Sequence, residues 1–253
     1  MEAQKWLSYD ELAWTETILA SPGDYKEETE RYCQAIKMHS QVDAKTLLHL
    51  GSGAGINDFT FKDHFQVTGV DLSEGMLTVA RELNPEVQYI QGDMRTVDLK
   101  KNFDAVVVPE SINYMVTEED AHKVILTASK HLKPGGIFLF TVHLKEEFQE
   151  NNFVYTGARD DIKITVFENN AIVDPTKSTY EATIVYLIRK NGELKIYTDR
   201  HILGLISLDV WMKLLKARGF SVTITSIDHT YDSYLSGEGE YPLKQFLCLK
   251  HKD

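Results

Sequence analysis

The chain has 253 residues, 43% of them hydrophobic and 26% charged, with a formal net charge of −11. That length and balance describe one globular domain with a sizeable core, and no apolar run is long enough to span a membrane. The acidic surplus and the shortness of basic runs such as Lys100-Lys101 and Arg189-Lys190 count against nucleic acid as a partner. Met1-Glu2-Ala3-Gln4-Lys5-Trp6 lacks the basic-then-apolar order of a secretion signal, so a cytoplasmic setting is expected. Cys33 and Cys248 make no disulfide framework and read as buried small hydrophobes.

In chain order, residues 5–20 and 24–40 read as amphipathic helices separated by Ser21-Pro22-Gly23. The first carries Trp6, Leu7, Leu12, Trp14, Ile18 and Leu19. The second opens on Asp24 as N-cap, with Glu27 completing a capping-box pattern. From 47 to 142 strand and helix alternate: strand 47–50, helix 54–63, strand 66–70, helix 74–83, strands 87–91 and 103–108, helix 118–131, strand 136–142. Continuous apolar runs such as Phe103–Val108 and Ile137–Phe140 are what a parallel sheet covered on both faces requires. The order is that of a doubly wound α/β domain.

Near residue 150 the period changes. Ile162, Ile164 and Val166 alternate with polar residues, as do Thr183, Val185 and Leu187 with their neighbours, and then Leu194 and Ile196. Asn191-Gly192 is a two-residue hairpin signal. A small antiparallel β-sheet is therefore expected as an insert over 152–203. Ser207 then caps a helix containing Leu208, Trp211, Leu214 and Leu215, and Gly219 ends it. Phe220–Ile227 and Lys244–Leu249 close the main sheet, joined by a linker at 228–243 rich in Tyr, Ser, Gly and Glu. The expected units are 1–45, 46–150, 151–205 and 206–253.

The segment Leu47-Leu48-His49-Leu50-Gly51-Ser52-Gly53-Ala54-Gly55 is an apolar run that ends in a glycine turn, and the next apolar run, Val67–Val70, ends in Asp71. Strand, glycine turn, helix and acid-tipped second strand make a nucleoside-binding half-site. Glycines let backbone and ligand approach closely. The carboxylate can accept from both ribose hydroxyls. A dinucleotide fingerprint wants glycine at position 56, where Ile56 stands, so the spacing suits a ligand without a pyrophosphate. The alternative reading of the turn, a tight strand–helix junction that holds nothing, is the weaker one.

Four segments, in this order and spacing, resemble the class I S-adenosylmethionine-dependent methyltransferases: Leu50–Gly55, Val70–Leu77, Tyr89-Ile90-Gln91-Gly92-Asp93-Met94 and Leu132-Lys133-Pro134-Gly135-Gly136. The resemblance implies a seven-stranded, mostly parallel sheet and S-adenosylmethionine as cofactor. Gly51, Ser52 and Gly53 would cradle it. Asp71 would take the ribose, and Leu72 and Met76 would wall the adenine. Asp93 would accept from the adenine amino group, with the Met94 N–H facing a ring nitrogen. Glu110 would stand beside the methionine end of the cofactor, or face the methyl acceptor. Tyr9 and Tyr25, with Trp14, lie on helices that would form a lid.

A narrower resemblance rests on Tyr9-Asp10-Glu11-Leu12, Asp24-Tyr25, Glu110-Ser111-Ile112-Asn113-Tyr114, the insert and Asp199-Arg200-His201. These are similar to a small-molecule subgroup that includes N-methyltransferases of nucleotide-linked amino sugars. It implies in-line methyl transfer to nitrogen or oxygen of a small molecule, without a metal. His143, at the end of the fifth strand, would serve as base, with Glu110 beside it and His201 as a further pocket residue. The chain departs from its relatives at Glu110, where many carry Asp, and at Thr141, where an acid is frequent. Methylation of tRNA or a protein side chain, and cofactor binding without catalysis, are the alternatives. A monomer or homodimer is expected.

Overall fold

Phe103–Val108 is buried at every position, because layers cover both faces of the sheet it centres. The structure, a computed structural model, describes residues 6–227, 231–237 and 240–251. Its strands are Thr46–Leu50 (β1), Gln66–Asp71 (β2), Gln88–Gln91 (β3), Phe103–Val108 (β4), Leu132–Val142 (β5), Asn151–Arg159 (β6), Ile162–Ala171 (β7), Thr179–Lys190 (β8), Glu193–Gly204 (β9), Phe220–Ile227 (β10) and Leu243–Lys250 (β11). Its α-helices are Glu16–Leu19 (α1), Lys26–His39 (α2), Asp58–Phe61 (α3), Glu74–Leu83 (α4), Glu118–His131 (α5) and Leu208–Lys216 (α6).

The main sheet runs β3-β2-β1-β4-β5-β11-β10, and only β11 runs against the direction of the other strands. Alternate residues of each strand face opposite layers. Val106, Val108, Phe138, Phe140 and Phe246 pack under α5 and α6, around Val124, Ile125, Trp211 and Leu215. Ala105, Val107, Ile137 and Leu139 pack against Tyr32, Cys33 and Ile36 of α2, Phe61 of α3 and Leu77 of α4. Cys33 and Cys248 are buried free thiols, as expected. The chain order reverses between β1 and β4, which opens a crevice at their carboxyl ends. Among the described residues no helix is long and apolar enough to cross a membrane.

The insert is a separate sheet in the order β6-β7-β8-β9. Asn191 (φ +50°) and Gly192 (φ +82°) both take the left-handed conformation of a tight hairpin turn. Its phase differs from the sequence reading in β8. The inward face is Tyr180, Ala182, Tyr186 and Ile188, all buried, while Thr183, Val185 and Leu187 lie on the other face. Both sets are apolar enough to satisfy a period of two, so only packing decides between them.

The N-terminal segment also differs. Lys5 lies outside the described residues, and from Trp6 onward the expected helix is 3₁₀ turns at Leu7–Tyr9 and Ala13–Thr15, followed by the one-turn α1. Leu7, Leu12, Trp14, Ile18 and Leu19 cover Ile164, Val166, Tyr186 and Ile188 of the insert. Tertiary burial of these side chains overrides a weak helical preference. At the second helix, Asp24 does not cap. Its carboxylate accepts from the Ser21 N–H and hydroxyl at 2.9 and 2.8 Å, and α2 starts at Lys26 behind Tyr25. The helix expected at 54–63 shrinks to α3, because Gly55 holds φ +73° and turns the chain before Asp58. Strand β5 starts four residues earlier than expected, at Leu132.

The N-terminal segment is seated by contact with the insert. A Cβ on Gly157 of β6 would stand 2.3 Å from the Ile18 carbonyl oxygen, so Gly157→Ala must push α1 away. Overpacking of this kind costs about 1–3 kcal/mol. The variant is expected to melt lower and to be cleaved faster by protease within residues 6–20. Unchanged melting and cleavage would show that the segment does not seat there.

Candidate active site

The glycine turn after β1 is built from backbone. The Gly51 and Ser52 N–H groups donate to the Val70 carbonyl at 2.7 and 3.0 Å, which ties the turn to the tip of β2. Gly53 N–H donates to Asp71 Oδ2 and Ser73 N–H to Asp71 Oδ1, each at 2.8 Å. An ionised carboxylate has about four acceptor positions, so each oxygen keeps a lone pair for a further donor. Burial pushes the Asp71 carboxyl up, against those two backbone N–H bonds. Gly51 is needed for close approach, since a Cβ there would meet Ser111 at 2.5 Å, whereas a Cβ on Gly53 would meet nothing within 4 Å. The turn therefore closes on β4 through Gly51 and stays open at Gly53. Ser52 is buried, and its hydroxyl has no partner among the described residues.

After β4 the chain turns sharply. Glu110 takes φ +53°, unusual for a side chain with a Cβ, and the Ser111 hydroxyl donates to the Gly51 carbonyl at 3.0 Å. Beside this junction lies a cavity of about 190 Å³. Glu110, Glu168, Tyr9, Tyr114, Tyr180 and Tyr241 line it, together with His201 and small or apolar residues of the insert. Glu110 accepts from Tyr231 at 2.5 Å and Tyr241 at 3.0 Å, and Tyr231 also reaches Glu28 at 3.2 Å. Burial, and then the charge of Glu28, push the Glu110 carboxyl up to about 7. Burial also raises Glu168, whose donors are Asn170 and Tyr155. Among the described residues neither Glu110 nor Glu168 has a cationic partner.

One side of the cavity is a hydrogen-bonded chain. The hydroxyls of Tyr9 and Tyr114 are 2.5 Å apart, Tyr114 meets His201 Nδ1 at 2.6 Å, and His201 Nε2 meets Asp199 Oδ2 at 3.0 Å. Ser8 donates to that same Asp199 oxygen through its N–H and its hydroxyl, at 2.8 and 2.9 Å.

Leu72 is 42% exposed beside Asp71. The Met94 side chain reaches the Gly51 turn, 2.9 Å from where a Cβ on that glycine would stand. Met76 is buried against Ala13 and Ala54 with Tyr9 and Ile56, so it joins α4 to the N-terminal segment. Asp93 spends both oxygens on Arg95, at 2.7–3.0 Å, and these bonds outweigh burial and hold its carboxyl below the usual range. Tyr25 precedes α2, where burial and the charge of Glu110 push its hydroxyl up.

His143 does not line the cavity. It is fully buried behind Tyr180 and Tyr241, its ring 6.1 and 4.3 Å from theirs. Its Nδ1 bonds the Pro242 carbonyl at 2.8 Å, so Nδ1 carries the proton. Burial pushes its pKa down to about 4, and Nε2 has no partner among the described residues. Strand-end position put His143 at the right edge of the sheet, but the aromatic side chains of the insert and the β10–β11 linker stand between it and the cavity.

Residues 47–136 match a family model described as a methyltransferase domain. This core is a methyltransferase domain. The dTDP-3-amino-3,4,6-trideoxy-α-D-glucopyranose N,N-dimethyltransferase of Streptomyces venezuelae is 34% identical over 117 residues, covering 45% of this chain and 48% of that protein. Two crystal structures share the fold over most of both chains. DesVI of Streptomyces venezuelae has a TM-score of 0.76 at 22% identity, covering 90% of this chain and 92% of that one. The sugar N-methyltransferase KedS8 of Streptoalloteichus sp. ATCC 53650 has a TM-score of 0.74 at 17% identity, covering 92% and 89%.

The residues at the turn fit S-adenosylmethionine, the cofactor that the resemblance implies. Gly53 is open where a ligand would pass, Asp71 has lone pairs to spare, and Leu72 offers an apolar face beside it. Three residues of the cavity escaped the sequence reading. Glu168 was legible in principle, since it continues the inward period of Ile164 and Val166 and is the one charge on that stripe. Tyr180 belongs to the mis-phased strand, and Tyr241 to a linker without periodicity.

The raised Glu110 carboxyl has a measurable consequence. Its folded value, about 7, lies above the ordinary 4.5, so its contribution is fully present below about 4.5 and is lost as pH rises through 7. Glu110→Gln escapes that loss. The variant is expected to melt a few degrees above the parent at pH 8.5, with the gap closing towards pH 5. A gap that does not change with pH in calorimetric melts would contradict the assignment.

Proposed function

We propose that the protein moves the methyl group of S-adenosylmethionine to the nitrogen of a small amine. The wall of the cavity carries this reading: two carboxylates and four tyrosines, with no lysine or arginine among the described lining residues. Carboxylates bonded only to neutral donors in a buried site suit an organic cation, and tyrosine faces add cation–π attraction of about 0.5–2 kcal/mol. A relative that dimethylates the amino group of a sugar supports the same acceptor chemistry.

Bound S-adenosylmethionine supplies a methyl group already activated by its sulfonium. The Gly51–Gly53 backbone with Ser52 borders its path, Asp71 holds the ribose, and Leu72, Met76 and Met94 provide the apolar wall. Asp93, held by Arg95, would accept from the adenine amino group through a remaining lone pair. Glu110 faces the cationic end of the cofactor or the acceptor amine. Tyr9 and Tyr25 close the site from the N-terminal segment. The protein's main contribution is alignment, for which effective molarities reach about 10⁵–10⁸ M. His143 supports Tyr241 from behind and does not touch the acceptor.

Calorimetric titration is expected to show binding of S-adenosylmethionine and S-adenosylhomocysteine but not NAD(H). A charged hydrogen bond is worth about 1.5–3 kcal/mol, so Asp71→Ala should weaken both by roughly ten- to a hundredfold. With a radiolabelled methyl donor, label is expected on one or more of benzylamine, histamine and glucosamine, with less on glucosamine 6-phosphate and none on bulk tRNA. Label on tRNA or protein alone would sink the small-amine reading.

A further inference from the structure

We propose that Tyr9, Tyr114, His201 and Asp199 form a proton outlet that leads from the acceptor site to an imidazole held by Asp199. The inference rests on the amine-methylation reading above and concerns how the acceptor loses its proton. An amine that enters as a cation has no lone pair for attack, so a proton must leave it before the methyl group can move. The ring of Trp6 lies 5.0 Å from Tyr114, 5.2 Å from His201 and 6.1 Å from Tyr9, and shields the chain of bonds from solvent. His143, the alternative base, has its free nitrogen behind Tyr180 and Tyr241.

The direction of every bond can be read from its partners. Asp199 Oδ2 already accepts from the Ser8 N–H. Burial works against ionisation of Asp199, but its bonds to Ser8 and His201 outweigh it and hold the carboxyl below its usual range. An ionised carboxylate only accepts, so His201 Nε2 is the protonated nitrogen. Burial, against the pull of Asp199, lowers His201 and keeps the imidazole neutral at rest. Nδ1 is then a bare lone pair, and the Tyr114 hydroxyl donates to it across 2.6 Å. The Tyr114 oxygen in turn accepts from the Tyr9 hydroxyl across 2.5 Å. Among the described residues no side chain donates to the Tyr9 oxygen, and Tyr9 lines the cavity. Each donor therefore points away from Tyr9 and towards Asp199 on β9, whose side chain is 12% exposed.

The transfer balances. The acceptor N–H bond breaks, its electron pair stays on nitrogen as the nucleophile, and the proton joins the Tyr9 oxygen. The Tyr9 proton passes to Tyr114, and the Tyr114 proton to His201 Nδ1. The imidazolium so formed sits against the Asp199 carboxylate and, when the product leaves, gives its Nδ1 proton to water, which restores the resting Nε2–H tautomer. Each tyrosine gives one proton and receives one. The arrangement follows the logic by which an aspartate holds a histidine in the right tautomer and stabilises its cation.

Nitrogen-15 spectra of the full chain with S-adenosylhomocysteine at pH 7.5 test the direction of the bonds without turnover. His201 is expected to be neutral and protonated at Nε2. An Nδ1–H tautomer, or an imidazolium at rest, would reverse the Tyr114 bond and overturn the outlet. Tyr114→Phe then tests its use, because it removes one oxygen and keeps the ring. The variant should bind S-adenosylhomocysteine within about threefold of the parent. Its rate on benzylamine, protonated in the assay, should fall by about a hundredfold or more. Its rate on aniline, neutral in the assay, should fall far less. Equal losses on both amines would mean that Tyr114 only shapes the pocket. A parent that binds the cofactor but methylates neither amine would overturn the amine reading and the outlet's purpose, whereas the wrong tautomer overturns the outlet alone.

Discussion

A carboxylate with no solvent exposure holds the site together from below. Asp58 accepts from His49 Nδ1 at 2.7 Å and from the Tyr89 hydroxyl at 2.9 Å. Asn84 donates to that hydroxyl and, at 2.8 Å, to the Gly55 carbonyl. One knot thus joins β1, α3, the end of α4 and β3, directly under the glycine turn. Leaving a buried polar group without its partner typically costs about 1–3 kcal/mol, so the knot resists any drift of the turn. The knot also explains the third glycine. A Cβ on Gly55 would stand 2.5 Å from the Tyr89 hydroxyl and 2.8 Å from Asn84, so that residue is glycine for packing and not for a ligand.

From that foundation the site is assembled outward. Gly53 reaches Asp71, Gly51 reaches Ser111, and so the tips of β1, β2 and β4 are fixed relative to one another. The cavity beyond them is less comfortable. Glu28, Glu110 and Glu168 are all raised by burial, Tyr231 is shared between two of them, and Glu110 holds a strained backbone angle. Local strain and unpaired charge of this kind persist only where the surrounding structure imposes them. Here a rigid α/β core supplies that constraint, and the insert and the N-terminal segment close over the result.

The insert has a double role. Its inward face gives the N-terminal segment somewhere to bury Leu7, Leu12, Trp14 and Ile18. The same face carries Glu168, Tyr180 and His201 to the cavity. Seating the segment therefore places Tyr9 against Tyr114, and packing and chemistry at this end of the molecule cannot be separated. The short bond from Ser73 to the Tyr9 carbonyl makes the same connection on the side of α4.

Much of the core was legible in the sequence because its signals are local. Continuous apolar runs, a glycine turn and an acid at the next strand tip lie within about thirty residues of one another, and the backbone chemistry they demand is the same in any context. Those features determined the parallel sheet, the position of Asp71 and the Asn191-Gly192 hairpin. Where two faces of a strand were both apolar, as in β8, or where a helix-like pattern served another sheet, as at residues 6–19, only packing chose. The outlet residues show the limit most clearly: Tyr9 and Tyr114 are 105 residues apart and Tyr114 and His201 are 87 apart. A contact between residues so distant leaves no period or spacing in the chain. Sequence by itself determined the parallel sheet, the glycine turn and the acid at the next strand tip, and tertiary structure decided which groups line the cavity, because burial and hydrogen-bond partners exist only once the insert has folded over the core.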